Sequence, residues 1–333
     1  MSWIKVYAPA TIANLGPGFD VIGCAVKEPH GDYVLARKCN TPGVDIIQIT
    51  GALSLPTDPK QNIASYATLE TLAKYNISTG IEMKLIKNPK VLPGSGLGSS
   101  ASSAAAGAFA TALLCDERLQ HKELVDNVKH ELIVICAKAE GLGITFNAHA
   151  DNVASALLGG FVLVNHGKAM PLGTIDDLSL IIFSPYKRYN LKTNEYEPYS
   201  VRTAQSRAVL PERVKLQDAA SNIGYFGQLV YSIIVNDAKL FGASLEDKLV
   251  EPVRAKELMP WYFDARKAAL DAGALGCTFA GSGPSFFVVA PTNSVIMRSV
   301  IIDAVTNALT KAQVIAHVSI TKIDTEGTRK VPV

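Results

Sequence analysis

The stretch Pro93-Gly94-Ser95-Gly96-Leu97-Gly98-Ser99-Ser100-Ala101 runs without a break into the alanine-rich segment Ser100 to Cys115. Glycine at positions 94, 96 and 98 removes Cβ atoms and permits positive φ, so successive backbone N–H groups can turn towards one anion. The alanine-rich segment reads as a helix. Its unpaired first-turn N–H groups and the positive end of its dipole would face the same point. A polyphosphate suits such a seat. Standing alone, a glycine loop before a helix is as readily a plain tight turn. It is not a Walker loop, since no lysine follows the last glycine. The dinucleotide pattern G-x-G-x-x-G/A is met only if Ser99 takes the third place, and the loop lies far from the chain's first strand.

Working outward, the chain has 333 residues, 48% of them hydrophobic and 19% charged, which is more than one hydrophobic core usually accommodates. Two domains are expected. Thirty-two basic against 30 acidic residues give a formal charge of +2, leaving no basic excess for nucleic acid or an anionic membrane. A small-molecule partner is favoured. Cys24, Cys39, Cys115, Cys136 and Cys277 are odd in number and widely spaced, with no CxxC, which suggests neither a disulfide framework nor a zinc site. The first residues do not read as a signal peptide, and Ala101 to Cys115 is shorter than the about 20 residues that span a bilayer. A soluble, cytoplasmic protein is expected.

Strand-like runs occur at Ile4–Ala8, Tyr33–Arg37, Asp45–Thr50 and Ile81–Lys87, and helical spacing at Asn62–Tyr75, Ser100–Cys115 and Leu124–Ala139. Gly159 to Val164 reads as a strand closing the first half. A second half begins with the strand Leu178–Ser184 and a helix in which Ile223, Phe226, Val230 and Ile233 recur on one face. It continues with strands at Cys277–Phe279 and Phe286–Val289, a helix at Val295–Ala312 and a strand at Ala316–Ile320. The apolar patterns break at Gly167-Lys168 and Pro171-Leu172-Gly173, which places the boundary near Lys168.

Pro93 to Ala101 resembles the central P-x-x-x-G-L-G-S-S-A motif of the GHMP kinases, ATP-dependent enzymes that phosphorylate small molecules. Ala8-Pro9-Ala10-Thr11-Ile12-Ala13-Asn14-Leu15-Gly16-Pro17-Gly18-Phe19-Asp20 resembles the N-terminal motif of that family, in the form found where the acceptor is L-homoserine. Thr278-Phe279-Ala280-Gly281-Ser282-Gly283-Pro284-Ser285 resembles its C-terminal glycine motif, with Ala280 where Gly or Ser is common and Ser285 where Thr is. Three motifs in order are far more specific than one. The resemblance implies an α+β fold: an N-terminal ATP-binding domain over 1–167 and a C-terminal domain over 168–333. The first would resemble ribosomal protein S5 domain 2, with a left-handed β-α-β unit, and the second a ferredoxin-like fold. The active site would lie between them.

On the same resemblance, Pro93, Gly94, Ser95, Gly96, Leu97, Gly98, Ser99 and Ser100 would hold ATP, and Ser100 with Glu140 would hold Mg2+, which needs few protein ligands. Without the family, Glu140 would be a solvated carboxylate at a helix end. Asn62 matches a residue that contacts adenine, and it equally reads as the N-cap of the helix that follows. An α-amino acid acceptor asks for a guanidinium fork at one end and an acid at the other. Thr203 and Arg207, in Thr203-Ala204-Gln205-Ser206-Arg207, and Arg254, in Glu251-Pro252-Val253-Arg254, match the carboxylate side. Asp20 and Asn14 match the ammonium side. His149 and Asn152 would approach the acceptor hydroxyl. Asp151 stands either as a base or as a brace, since phosphoryl transfer depends more on positioning than on a strong base.

The expected reaction moves the γ-phosphoryl group of Mg·ATP to the side-chain hydroxyl of L-homoserine. Other readings are a GHMP kinase for mevalonate or shikimate, which would not need an ammonium site, and a non-catalytic ligand sensor, which should have lost Ser100, Glu140 or part of the loop. A nicotinamide-dependent oxidoreductase would bind NAD(H) and not ATP. Family members are often dimers, so a homodimer is allowed.

Overall fold

The alternation that opens the chain continues through the first motif as one strand, β1 (Ile4–Ala13), paired antiparallel along its length with β2 (Ile22–Cys39). The computed structural model describes residues 2–51, 55–91, 93–141, 150–291 and 294–333. β3 (Val44–Thr50), α1 (Ile63–Lys74) and β4 (Gly80–Ile86) form a β-α-β unit, because β3 and β4 pair in parallel and need a crossover between them. Then come α2 (Ser99–Cys115), α3 (Val125–Glu140), α4 (Ala150–Leu158), β5 (Phe161–Asn165) and β6 (Lys168–Gly173). The second half holds β7 (Leu178–Asn190), β8 (Glu195–Pro198), α5 (Thr203–Ala208), α6 (Leu216–Ile234), α7 (Ala238–Ala243), α8 (Glu251–Leu258) and α9 (Tyr262–Asp271). It ends with β9 (Gly276–Phe279), β10 (Phe286–Pro291), α10 (Val295–Lys311), β11 (Val314–Thr321) and β12 (Arg329–Val331).

The first sheet runs β12-β1-β2-β4-β3, with β5 on the early part of β2 and β6 beside β5. The second runs β11-β7-β10-β9, with β8 on the end of β7. Numbered within its own βαββαβ unit, the second sheet has the order 4-1-3-2, all antiparallel, which is the ferredoxin-like arrangement. A cut at 167/168 follows the order of the chain but not the sheets. β6 and β12 both belong to the first, because the last strand returns to pair Lys5 with Val331.

Alternation along β7 explains how the halves join. Ile181 and Phe183 face α9 and α10, packing with Tyr262, Ala265, Ile301 and Val305. Leu180 and Ile182 face the other way, into a cluster with Ile12, Ile22, Leu97 and Phe161 of the first half. That shared core fixes one half against the other beneath the three motifs.

The expectation for α6 is corrected at one position. Phe226, Val230 and Ile233 are buried or half-buried, but Ile223 is 72% exposed. The inward face follows Asn222, Leu229 and Ile233, a spacing of seven and four that leaves Ile223 outside. Among the described residues, no helix is long and apolar enough to cross a membrane.

Candidate active site

Gly94, Gly96 and Gly98 have φ of 77°, 89° and 59°, the left-handed region that the alternating glycines anticipate. Gly98 is the N-cap of α2, so the helix opens directly from the loop. The loop rests on the other two motifs through backbone hydrogen bonds. Thr11 N–H donates to Leu97 O at 3.2 Å, Ser285 N–H to Ser95 O at 3.0 Å, and Gly281 N–H to Ala13 O at 3.1 Å. A Cβ on Gly96 would run into Ala280 O, and one on Gly98 into Thr11 Oγ1. These two glycines are therefore required first by the protein's own packing, before any phosphate arrives.

The motifs enclose a cavity of about 420 Å3. Asn14, Asp20, Asn62, Pro93 to Ser100, Glu140, Asp151, Asn152, Thr203, Arg207 and Arg254 all line it, from seven separate stretches of the chain. His149 lies outside the described residues.

Asn62 is the N-cap of α1, its side-chain oxygen accepting from Ala64 N–H at 3.0 Å, so the capping reading holds while the residue also faces the cavity. Ser100 Oγ donates to Glu140 Oε2 at 3.0 Å. Glu140 Oε1 is sealed from solvent and has no hydrogen-bond donor among the described residues. Burial pushes the Glu140 acid up to about 7, against the pull of Ser100 and of the Lys87 charge. Glu140 does end α3, as expected, but it is turned inward and not solvated. A hard divalent cation held mainly by phosphate and water oxygens fits this pair, since it needs one or two protein oxygens and would satisfy the orphaned one.

The turn after β1 puts Asn14, Leu15 and Gly16 at φ of 74°, 47° and 74°, and Asp20 at 61°, which is uncommon for side chains other than glycine. It places the Asn14 amide so that Oδ1 accepts from Asp20 N–H at 3.0 Å and Nδ2 donates to Gly281 O at 2.8 Å. Arg207 Nη2 donates to both Asp20 carboxylate oxygens, at 2.8 and 3.0 Å. Arg254 is 3% exposed and, among the described residues, donates only to carbonyls, Ser206 O and Gly281 O, each at 3.2 Å. Burial, and next the charge of Arg207, pull its guanidinium down to about 10. Both guanidinium groups lie over the Phe19 ring, at 5.5 and 5.2 Å from its centre.

Asp151 is 2% exposed and accepts from Asn152 N–H at 2.8 Å. Burial, and next the Asp20 charge, push its acid up to about 7. Asn152 Oδ1 accepts from the buried Thr11 hydroxyl at 2.7 Å, which ties the first turn of α4 to β1.

One group escaped the sequence reading. Lys87 pairs with Asp32, and its ammonium also donates to Ser99 O at 2.9 Å, Ser99 Oγ at 2.7 Å and Ser103 Oγ at 2.8 Å. Lysine and aspartate are 3% and 1% exposed. The available signal was weak: an aspartate immediately before the β-rich run Tyr33–Arg37, in what the structure shows to be the middle of one long strand, where that residue is disfavoured.

A left-handed glycine loop opening a helix, stitched to two further glycine-bearing turns under a two-domain cleft, is the construction of the GHMP kinases. The family's N-terminal model matches residues 62–160 and its C-terminal model residues 229–296. The homoserine kinase of Chlorobium phaeobacteroides strain BS1 is 38% identical over 301 residues, 86% of each chain. That of Pyrococcus abyssi is 35% identical over 286 residues, 86% of this chain and 87% of its own. The crystal structure of homoserine kinase from Cytophaga hutchinsonii superposes with a TM-score of 0.85 at 37% identity, covering 99% of this chain and 98% of that one. The chain belongs to the homoserine kinase family within the GHMP kinases.

Proposed function

We propose that the protein transfers the γ-phosphoryl group of ATP to the side-chain hydroxyl of L-homoserine, giving O-phospho-L-homoserine and ADP, the step before threonine synthesis. The observation that carries the acceptor class is Arg254: a guanidinium buried in the cavity wall, with no carboxylate partner among the described residues, beside the Arg207–Asp20 pair. A buried cation whose nearby acids, Asp20 and Asp247, act on it without an ion-pair contact is costly unless a ligand supplies a closer counter-charge. A substrate carboxylate would do so, and its ammonium would find Asp20 and the Asn14 amide. Thr203 lines the same wall.

The phosphates would lie against the N–H groups of 94–100 and the start of α2, with adenine towards Asn62. Mg2+, held by Ser100 and Glu140, would neutralise charge on the transferring group. Asn152, locked by Thr11, would orient the acceptor hydroxyl. Catalysis then rests chiefly on alignment. Asp151, partly protonated near neutral pH, braces Asn152 and can take the hydroxyl proton as the bond forms.

ADP release should be measured with Mg·ATP and L-homoserine, mevalonate, shikimate or no acceptor. L-homoserine is expected to give the highest kcat/KM. A higher value with mevalonate or shikimate would overturn the amino-acid pocket while leaving the phosphate seat standing.

A further inference from the structure

We propose that a second cavity, on the far side of the phosphate loop, is a regulatory site for a small phosphate-bearing anion, either free phosphate or a compact monoester. The cavity holds about 240 Å3 and lies between the loop and strands β7 and β11 of the second sheet. Pro93 and Ser95 line both cavities, so the loop is their shared wall.

The polar groups of the cavity select an anion. Lys90 and His317 line it with Ser184, Tyr186 and Ser200, and among the described residues no carboxylate does. Lys90 is exposed and, among the described residues, makes no ion pair. The His317 ring stacks on that of Tyr186, centres 4.2 Å apart, which fixes its plane. Burial, and next the Lys90 charge, hold its imidazole below the usual range, so the two basic groups act on one another across the cavity. A phosphate would supply the charge that both lack and accept from the hydroxyls around it. The missing acid also decides against an amino acid, whose ammonium would stay unpaired here, in contrast to the acceptor pocket with its Asp20. A crevice left by loose packing would be apolar or have its buried polar groups paired. Ser95, in the shared wall and 6% exposed, has a hydroxyl with no hydrogen-bond partner among the described residues.

The walls connect the cavity to both substrates. Ser184 Oγ accepts from Ser285 Oγ at 3.1 Å, and Ser285 N–H donates to Ser95 O. Val201 N–H donates to Gly94 O at 3.4 Å. Pro198 to Ser200, which line the cavity, lead within three residues into α5, the helix that carries Thr203 and Arg207. An anion settled here faces the nucleotide phosphates across one loop, like charge towards like. Each therefore weakens the other by the same factor without displacing it. That coupling rests on the reading of the loop as the nucleotide seat, whereas the anion site stands on the residues of its own cavity.

The test is calorimetric titration of inorganic phosphate, and separately of phenyl phosphate, into enzyme saturated with Mg2+, the non-hydrolysable nucleotide AMP-PNP and L-homoserine, with the His317 imidazole followed by NMR. Phosphate is expected to bind this complex, to shift the His317 signals, and to raise the Kd of AMP-PNP by about fivefold to a plateau. Lys90→Gln, at an exposed position, should weaken phosphate binding by about tenfold and leave KM for ATP in phosphate-free buffer unchanged. Tighter binding of inorganic phosphate than of phenyl phosphate would make the free ion the ligand, and the reverse order a monoester. Phosphate that raises the Kd of AMP-PNP without limit and leaves His317 unmoved occupies the nucleotide seat alone and overturns the proposal. So does binding that Lys90→Gln leaves unchanged, or that L-serine, a zwitterion of similar size, matches. Should AMP-PNP fail to bind while phosphate still shifts His317, the anion site stands and the nucleotide seat falls.

Discussion

Arg207 Nη2 grips both carboxylate oxygens of Asp20, at 2.8 and 3.0 Å, across 187 residues of chain. The sequence reading gives these residues opposite ends of a zwitterion, and in the structure each is the other's partner. Their side chains are 36% and 32% exposed, so the pair itself contributes only about 0–1 kcal/mol to folding. Arg207→Ala and Asp20→Asn should therefore move Tm little yet each reduce kcat/KM for L-homoserine by about 2–5 kcal/mol, because a bound acceptor is left with an unpaired charge. The double variant should lose less than the sum. Arg207→Lys should not restore activity, since an ammonium lacks the planar fork. Wild-type kcat/KM in both single variants would remove these residues from the acceptor site.

Arg254 should behave differently from its neighbour because it is buried and, among the described residues, no carboxylate is in ion-pair contact with it. L-homoserine is expected to raise Tm of the wild type more than that of Arg254→Met, which removes the cation and keeps apolar bulk. ATP should stabilise both equally. Calorimetric scans with each ligand read the contrast, and equal stabilisation by homoserine would show that this arginine does not meet the acceptor.

Protons and metal should compete at Glu140. With its acid held up to about 7, lowering the pH through that value protonates the carboxylate and should raise the Mg2+ concentration needed for half-maximal rate. Glu140→Gln should need more Mg2+ at every pH and lose the pH dependence of that requirement. An unchanged metal titration in this variant would leave Glu140 no part in metal binding.

Asp151 offers a stability test with a fixed sign. Its folded acid titrates near 7 and its unfolded acid near 3.8, so between those values the folded state holds more protons and stability falls as pH rises. Above pH 7 the full penalty applies, at most about 4 kcal/mol from a shift of roughly three units. Asp151→Asn keeps an acceptor for the Asn152 N–H, so denaturant unfolding should find it more stable than wild type at pH 8 and equal to it near pH 4. Equal stability at pH 8 would mean that the carboxylate is not penalised by its surroundings.

The loop glycines should separate by position. Gly98→Ala drives a Cβ into Thr11 Oγ1 and should destabilise the fold itself, by about 1–3 kcal/mol or more. At Gly94 the nearest atom, Ser200 Cβ, is 3.4 Å away, so Gly94→Ala carries backbone strain alone, about 1–2 kcal/mol. Unfolding midpoints should rank wild type, Gly94→Ala, Gly98→Ala, and only the Gly94 variant is a fair probe of nucleotide affinity.

The loop, the helix it opens and the Asn62 cap were legible because each is decided by neighbours in sequence: positive φ by glycine, helix by alanine, a cap by an asparagine one residue before the first turn. Lys87 with Asp32 was not, since their meeting depends on β2 lying beside β4, a pairing that no local pattern encodes. The inward turn of Glu140 was hidden for the same reason: the residue that claims it, Ser100, is 40 positions away. Ile223 was misplaced because the apolar arc of α6 is wider than the part of it that the fold buries, and periodicity marks the arc but not where burial stops.

The backbone bonds that bind Leu97 to Thr11, Ser95 to Ser285 and Gly281 to Ala13 bear on how such a chain can diverge. They use main-chain atoms, which no side-chain replacement alters directly, whereas the proposed acceptor end is framed by the side chains of Phe19, Asp20, Thr203, Arg207 and Arg254. The proposed phosphate platform is thus heritable apart from the pocket beside it. A lineage could exchange one alcohol for another by changing a handful of rim residues, each step retaining a working nucleotide cradle on which the next could be selected.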